Sequence, residues 1–159
     1  MTRIRRISAD ILFIFLPGIF FQSCEKELIS PIPTAPVEIT LNLDFADSDL
    51  VPALAAKSIT QPRVATDRLG FGGILVVNGS GSNGAISLFA YDLACPHEVD
   101  RNIRVIPDNS GKAKCPECGS VYVTMWGTGL PEKNSVSKYP LRSYVVRPTS
   151  GSNKFTVLN

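Results

Sequence analysis

The chain has 159 residues, enough for one domain, with 44% hydrophobic and 19% charged residues, a balance that suits a packed core and excludes a disordered chain. The net charge of +2 arises at the N-terminus. Of 16 basic residues, setting aside Arg3, Arg5 and Arg6 leaves 13, matched by 13 acidic ones once Asp10 is set aside, and a neutral body without a basic stripe argues against nucleic acid as a partner.

The N-terminus reads as an export signal over residues 1–23. "MTRIRR" is a basic segment, and the apolar run Ile11–Phe21 follows it. That run is too short to span a bilayer, and Pro17-Gly18 interrupts it. The other reading is an ordinary buried helix, but the order of charge, apolar run and small residue is that of a signal peptide. "QSC" then resembles a bacterial lipobox, which makes Cys24 the expected lipidation site and the mature N-terminus. Phe21 takes the apolar position and Gln22 departs from the pattern. Residues 24–36 are polar and hold three prolines, which suits a tether between membrane and domain. The expected location is the bacterial cell envelope, with the membrane as a partner through lipid.

The β domain is expected over residues 37–159. Val37, Ile39, Leu41, Leu43 and Phe45 alternate with Glu38, Thr40, Asn42 and Asp44, the period of a half-buried strand. Ser48–Gln61 has room for one short helix, limited by Pro52. Ile74–Val77 and Ile86–Tyr91 are expected strands, joined by the hairpin loop "NGSGSNG". The glycines of "GFGG" just before them serve a tight bend, since no strand-to-helix phosphate loop surrounds them. Asn102–Ile106 reads as a strand, Pro107–Lys112 as a turn that leads directly into Cys115, and Ser120–Trp126 as another strand. Ser143–Pro148 and Lys154–Asn159 close the chain as a hairpin around "TSGSN". Many short strands without a sustained helical period predict an all-β sandwich or barrel.

Two proline-marked turns carry the chemistry, at about residues 92–125. Cys95-Pro96-His97 is a C-x-H pair and Cys115-Pro116-Glu117-Cys118 a C-x-x-C pair. Three thiols and one imidazole are soft or borderline metal ligands, and each spacing lets two side chains of one turn reach one centre. Proline shapes each turn while leaving neighbouring amides free to face sulfur, and Gly119 permits a bend that other residues resist. Other readings stand beside this one. The cysteines could pack as small apolar residues. Cys115 and Cys118 could form a disulfide or a redox pair, although a thioredoxin-like C-x-x-C opens a helix and this one opens a strand. Zinc could bind to the three cysteines and the histidine.

At these residues the chain resembles the Rieske-type [2Fe–2S] domain family, in a form that looks like an exported bacterial lipoprotein. The family's loops read C-x-H and C-x-x-H, the second followed by G-S-x-Y/F; here Gly119-Ser120-Val121-Tyr122 follows the second loop. The resemblance runs from about Leu69 to Leu158 and includes "GFGGILVV", "ISLFAYDLACPHE" and "KYPLRSYVVRP". It implies an antiparallel β-sandwich or barrel with the two loops on a small subdomain. It also implies a [2Fe–2S] cluster with Cys95 and Cys115 on the inner iron and His97 and Cys118 on the outer one. Ser120 is implied as a donor to a bridging sulfide, and Tyr122 as a donor to a cysteine sulfur. The implied function is carriage of single electrons to or from an unidentified redox protein, without catalysis by this chain. Cys118 stands where the family has histidine, and the extra cysteines that bridge the loops in the respiratory-complex branch are missing. Three thiolates leave the cluster more negative than the family's two, so the potential is expected between the Rieske and plant-ferredoxin ranges. The alternative from another class is a non-redox binding or structural module of the same fold, with zinc, a Cys115–Cys118 disulfide or no metal.

Overall fold

A computed structural model describes residues 28–79, 85–149 and 153–159. Cys24 and the export signal lie outside the described residues. The protein is all-β. Among the described residues, ten strands run in chain order: β1 (Val37–Asn42), β2 (Ala56–Ile59), β3 (Arg68–Leu69), β4 (Ile74–Asn78), β5 (Leu88–Asp92), β6 (Ile106–Pro107), β7 (Lys112–Lys114), β8 (Val121–Val123), β9 (Ser143–Pro148) and β10 (Lys154–Leu158). Seven of them form one antiparallel sheet in the order β2-β4-β5-β9-β10-β1-β3, curled into a nearly closed barrel. The other three, β6-β7-β8, form a small second sheet.

β4 explains how the two parts join. All five of its residues are buried. Ile74 and Val76 face the barrel core with Ile39, Leu41, Leu50, Ala90 and Val157, while Leu75 and Val77 face a second core with Tyr91, Leu93, Val105, Ala113, Tyr122 and Leu141. A strand covered on both faces needs apolar side chains at every position, hence the unbroken "ILVV". β5 is apolar from Leu88 to Tyr91 and ends on the buried Asp92, and it pairs with β4 from Ile74 opposite Asp92 to Asn78 opposite Leu88. The second core contains Cys95 and Cys115, so the cysteine turns rest directly on the back of the barrel wall.

The first strand is shorter than its alternation implies. β1 ends at Asn42, and Phe45, expected to be inward, is 76% exposed. Asp47 is the cause: its buried carboxylate accepts the Asn42 N–H at 2.8 Å and pairs with Arg63 at 2.9 Å and Lys57 at 3.1 Å. The Asp47 amide also donates to Asn42 O, and the chain turns there instead of extending. The expected helix in Ser48–Gln61 is a single 3-10 turn, Ser48–Leu50, and its second half is β2. Asn102–Ile106 is mostly irregular, touching the sheet by an isolated bridge between Ala94 and Arg104, with β6 starting at Ile106. The turn before Cys115 is shorter than expected because Lys112–Lys114 pair with β8. Ser120–Trp126 is strand only at Val121–Val123, and Trp126 lies 59% exposed. The closing hairpin forms, with Phe155 opposite Pro148 and Leu158 opposite Val145.

The packed domain starts before Val37. Ile32 is 1% exposed, Arg142 donates to Ile32 O at 2.9 Å and to Thr34 Oγ1 at 2.7 Å, and Asn159 donates to Ala35 O at 2.7 Å.

Candidate metal centre

The first cysteine turn grows out of β5. Beyond Asp92 the chain keeps partners on both sides: Leu93 N–H donates to Gly73 O and Val105 N–H to Leu93 O. Cys95 N–H then donates to Ile103 O at 3.0 Å, and Val99 N–H closes the turn on Cys95 O at 2.9 Å. The second turn grows out of β7. Cys115 N–H donates to Ser120 O at 2.9 Å, and Gly119 N–H closes that turn on Cys115 O at 3.1 Å. The two turns therefore match: cysteine, proline, two residues, then a residue in the left-handed region. That fifth residue is Val99 (φ 54°) in one turn and Gly119 (φ 70°) in the other. A Cβ at Gly119 would meet nothing within 4 Å, so glycine serves the backbone angle there and not a lack of room.

The turns bring three thiols together. The sulfurs of Cys95, Cys115 and Cys118 all lie within 4.8 Å of one another, the first two buried and the third half-buried. Cys95 Sγ and Cys118 Sγ are 3.7 Å apart. His97 is exposed at the tip of the first turn and is not part of this group. Tyr122, fully buried on β8, places its hydroxyl 3.3 Å from Cys95 Sγ. Ser120 is also buried, and its Oγ accepts the Ser137 N–H at 2.9 Å and the Cys118 S–H at 3.1 Å. The segment through Ser135 is held to the second turn as well, since Ser135 Oγ accepts the Val121 N–H and donates to Val121 O, both at 3.0 Å.

Burial separates the thiols electrostatically. It pushes the Cys115 thiol well up, more than the amides of Cys118 and Glu117 that face its sulfur bring it down. At Cys118 burial also pushes upward, but the Ser120 hydroxyl and amide and the neighbouring thiols outweigh it and leave this thiol below the usual cysteine value. Tyr122 is pushed up by burial and by its contact with Cys95, so it stays a protonated donor. A low-dielectric pocket with hydroxyls and amides aimed at sulfur suits thiolates held by a metal, which are charged and need such donors.

The support beneath the first turn is not visible as a motif. Asp92 is fully buried and accepts Phe71 N–H at 2.8 Å, Gly72 N–H at 2.9 Å, Ala94 N–H at 2.8 Å and the Tyr144 hydroxyl at 2.6 Å. It ties the "GFGG" bend to the residue just before Cys95. A Cβ on Gly72 would meet Ala94 N at 2.7 Å, so that glycine makes room for the turn. Arg104 adds a bond to Gly72 O at 2.6 Å, and Arg101 lies over the Phe71 ring at 5.0 Å. The available signal was an aspartate inside an otherwise apolar strand.

The chain matches no family model, no curated protein and no solved structure. What is established at this site is three clustered cysteines in an all-β domain, a group able to hold a metal ion.

Proposed function

We propose that the chain is an exported, Rieske-like iron–sulfur protein, anchored through lipid on Cys24, that passes single electrons to or from a partner redox protein. The observation that supports this most is the convergence of two matched Cys-Pro turns, from separate elements, on one buried set of sulfurs. Three thiols fit such a centre: Cys95, Cys115 and Cys118 would supply thiolates, while His97, exposed at the end of the first turn and outside that cluster, would have to turn inward to supply an imidazole. When bound, a [2Fe–2S] cluster would supply a one-electron couple. The protein's part is to hold sulfur and exclude water. β5 and β7 fix the two turns, and the second core covers Cys95 and Cys115 from behind. The Tyr122 hydroxyl donates toward Cys95 sulfur, which favours added negative charge there. With Cys118 in place of histidine, a third thiolate on the cluster would lower its potential relative to a two-histidine centre. Catalysis, if any, belongs to the partner.

One observation favours a second reading, zinc bound by the three thiols and His97. A tetrahedral ion with Zn–S bonds of about 2.3 Å holds its sulfurs roughly 3.8 Å apart. Cys95 and Cys118 already stand at 3.7 Å. Sulfurs on different irons of a two-iron cluster stand farther apart.

The deciding experiment is an assay of iron, acid-labile sulfide and zinc, with a visible spectrum, on protein prepared without oxygen. Two irons and two sulfides per chain, with a coloured centre that bleaches on reduction, support the electron carrier. One zinc and no colour supports the second reading. Neither metal, before or after reconstitution, leaves a non-redox module of the same fold.

A further inference from the structure

One close sulfur pair joins the two turns. Cys95 Sγ and Cys118 Sγ lie 3.7 Å apart from residues 23 positions apart in sequence. A disulfide needs about 2.05 Å, so side-chain rotation has a short gap to close. Access is unequal: Cys95 and Cys115 are buried, whereas Cys118 is half-buried. Polar partners differ too. Cys95 has the Tyr122 hydroxyl at 3.3 Å, and the Cys118 S–H donates to Ser120 Oγ at 3.1 Å.

We propose that Cys95 and Cys118 are a redox pair that closes into a disulfide between the two turns when the centre is metal-free, with Cys115 as the spectator thiol, and that this bond shuts the site to metal. The last clause rests on the metal-centre reading; the pairing itself does not. The oxidant is a small-molecule disulfide. Cys118, the least buried of the three residues, attacks it as thiolate: the oxidant's S–S bond breaks, a mixed disulfide forms on Cys118, and one thiolate leaves. Cys95 then attacks the Cys118 sulfur, and the second thiolate leaves. In total two protein thiols give up two protons and two electrons, and one disulfide becomes two thiols. A metal bound by both sulfurs blocks the first step, because neither is then a free nucleophile. Ligand and lock are thus the same atoms: loss of metal in an oxidising compartment leads to a closed, inert site, and reduction reopens it.

The test uses the full chain, reduced and freed of metal with a chelator, then incubated with oxidised glutathione and digested with trypsin under non-reducing conditions. Cleavage after Arg68, Arg101, Lys114 and Lys133 puts Cys95 in the peptide 69–101 and Cys115 with Cys118 in the peptide 115–133, while Cys24 falls in a separate peptide. The expected product is 69–101 joined to 115–133, formed equally in Cys115→Ser and lost in Cys118→Ser. The oxidised protein should take up less than one tenth of the zinc or iron that the reduced protein does, and dithiothreitol should restore uptake. An internal disulfide within 115–133, a cross-link that persists in Cys118→Ser, or no disulfide at all overturns the pairing. Full metal uptake by the oxidised protein overturns the lock. A chain that binds metal when reduced but forms no cross-link removes this inference and leaves the metal centre standing; a cross-linked chain whose reduced form binds neither metal does the reverse.

Discussion

Replacing Asp92 with asparagine should destabilise the protein more than any other single polar change at the site. The carboxylate is fully buried and accepts three backbone N–H groups and the Tyr144 hydroxyl, all between 2.6 and 2.9 Å. A hydrogen bond to a charged group contributes about 1.5–3 kcal/mol, and a buried donor left without a partner costs about 1–3 kcal/mol. Asparagine keeps one oxygen, enough for two of the four donors. Its amide nitrogen then faces the others as donor against donor. Losing two bonds with partial relaxation gives a cost of about 3–5 kcal/mol, a large share of a typical stability of about 5–15 kcal/mol. For a domain of this size the melting temperature should fall by roughly 10–20 °C. Urea unfolding followed by circular dichroism measures the loss directly; Trp126, exposed and the only tryptophan, is a poor reporter. Tyr144→Phe removes one donor and keeps the charge, so it should cost less, about 1–2 kcal/mol. A loss below about 1 kcal/mol for Asp92→Asn, or a larger loss for Tyr144→Phe, refutes the view that this carboxylate anchors the first turn.

Tyr122→Phe deletes the hydroxyl 3.3 Å from Cys95 Sγ, so the reconstituted protein should show a more negative reduction potential by voltammetry, with little loss of stability. Cys118→His removes one negative charge from the centre and should raise that potential; a cluster that assembles in parent and variant without an upward shift would mean that Cys118 is not a ligand. Asp47 is held below the usual aspartate value: burial alone would raise it, but the Asn42 amide, Lys57 and Arg63 more than offset that. Its contribution is therefore present above the unfolded value of about 3.9 and lost as pH falls through the lower folded value. Unfolding free energies measured from pH 7 to pH 2 should fall in that acid window, and the slope should be smaller in Asp47→Asn. Cys24→Ser should move the protein from the membrane fraction to the soluble fraction or stall its maturation, read by fractionation and by the mass of the mature N-terminus.

The all-β class and the strands that carry the hairpins were legible because β1, β4, β5, β9 and β10 announce themselves by alternation, by unbroken apolar runs and by glycine-rich turns. What escaped depended on partners distant in the chain. β2 and β3 are short and weakly patterned, and they exist because β4 and β1 offer them an edge. β1 stops early because Asp47 captures the Asn42 amide, a contact that alternation cannot report. At the site, the thiols of Cys95, Cys115 and Cys118 were legible by type and spacing, and they do converge. The 3.7 Å approach of Cys95 to Cys118 was not, because side-chain direction within each turn sets it. Nor were Asp92 and Ser137, whose roles come from what folds against them 52 and 17 residues away.

The packing of Ile32 and the grip of Arg142 on Ile32 and Thr34 bear on how far the domain can travel. With lipid on Cys24, only the residues between Cys24 and Ile32 remain as leash. Fully extended, eight residues reach at most about 26–29 Å, which is less than a small domain's own diameter. The domain would then sweep a thin layer against the bilayer, and a redox partner would have to meet it there. Encounters would be governed by diffusion in the plane of the membrane. Inserting a flexible segment after Cys24 should change which partners it reaches while leaving the domain itself unaltered.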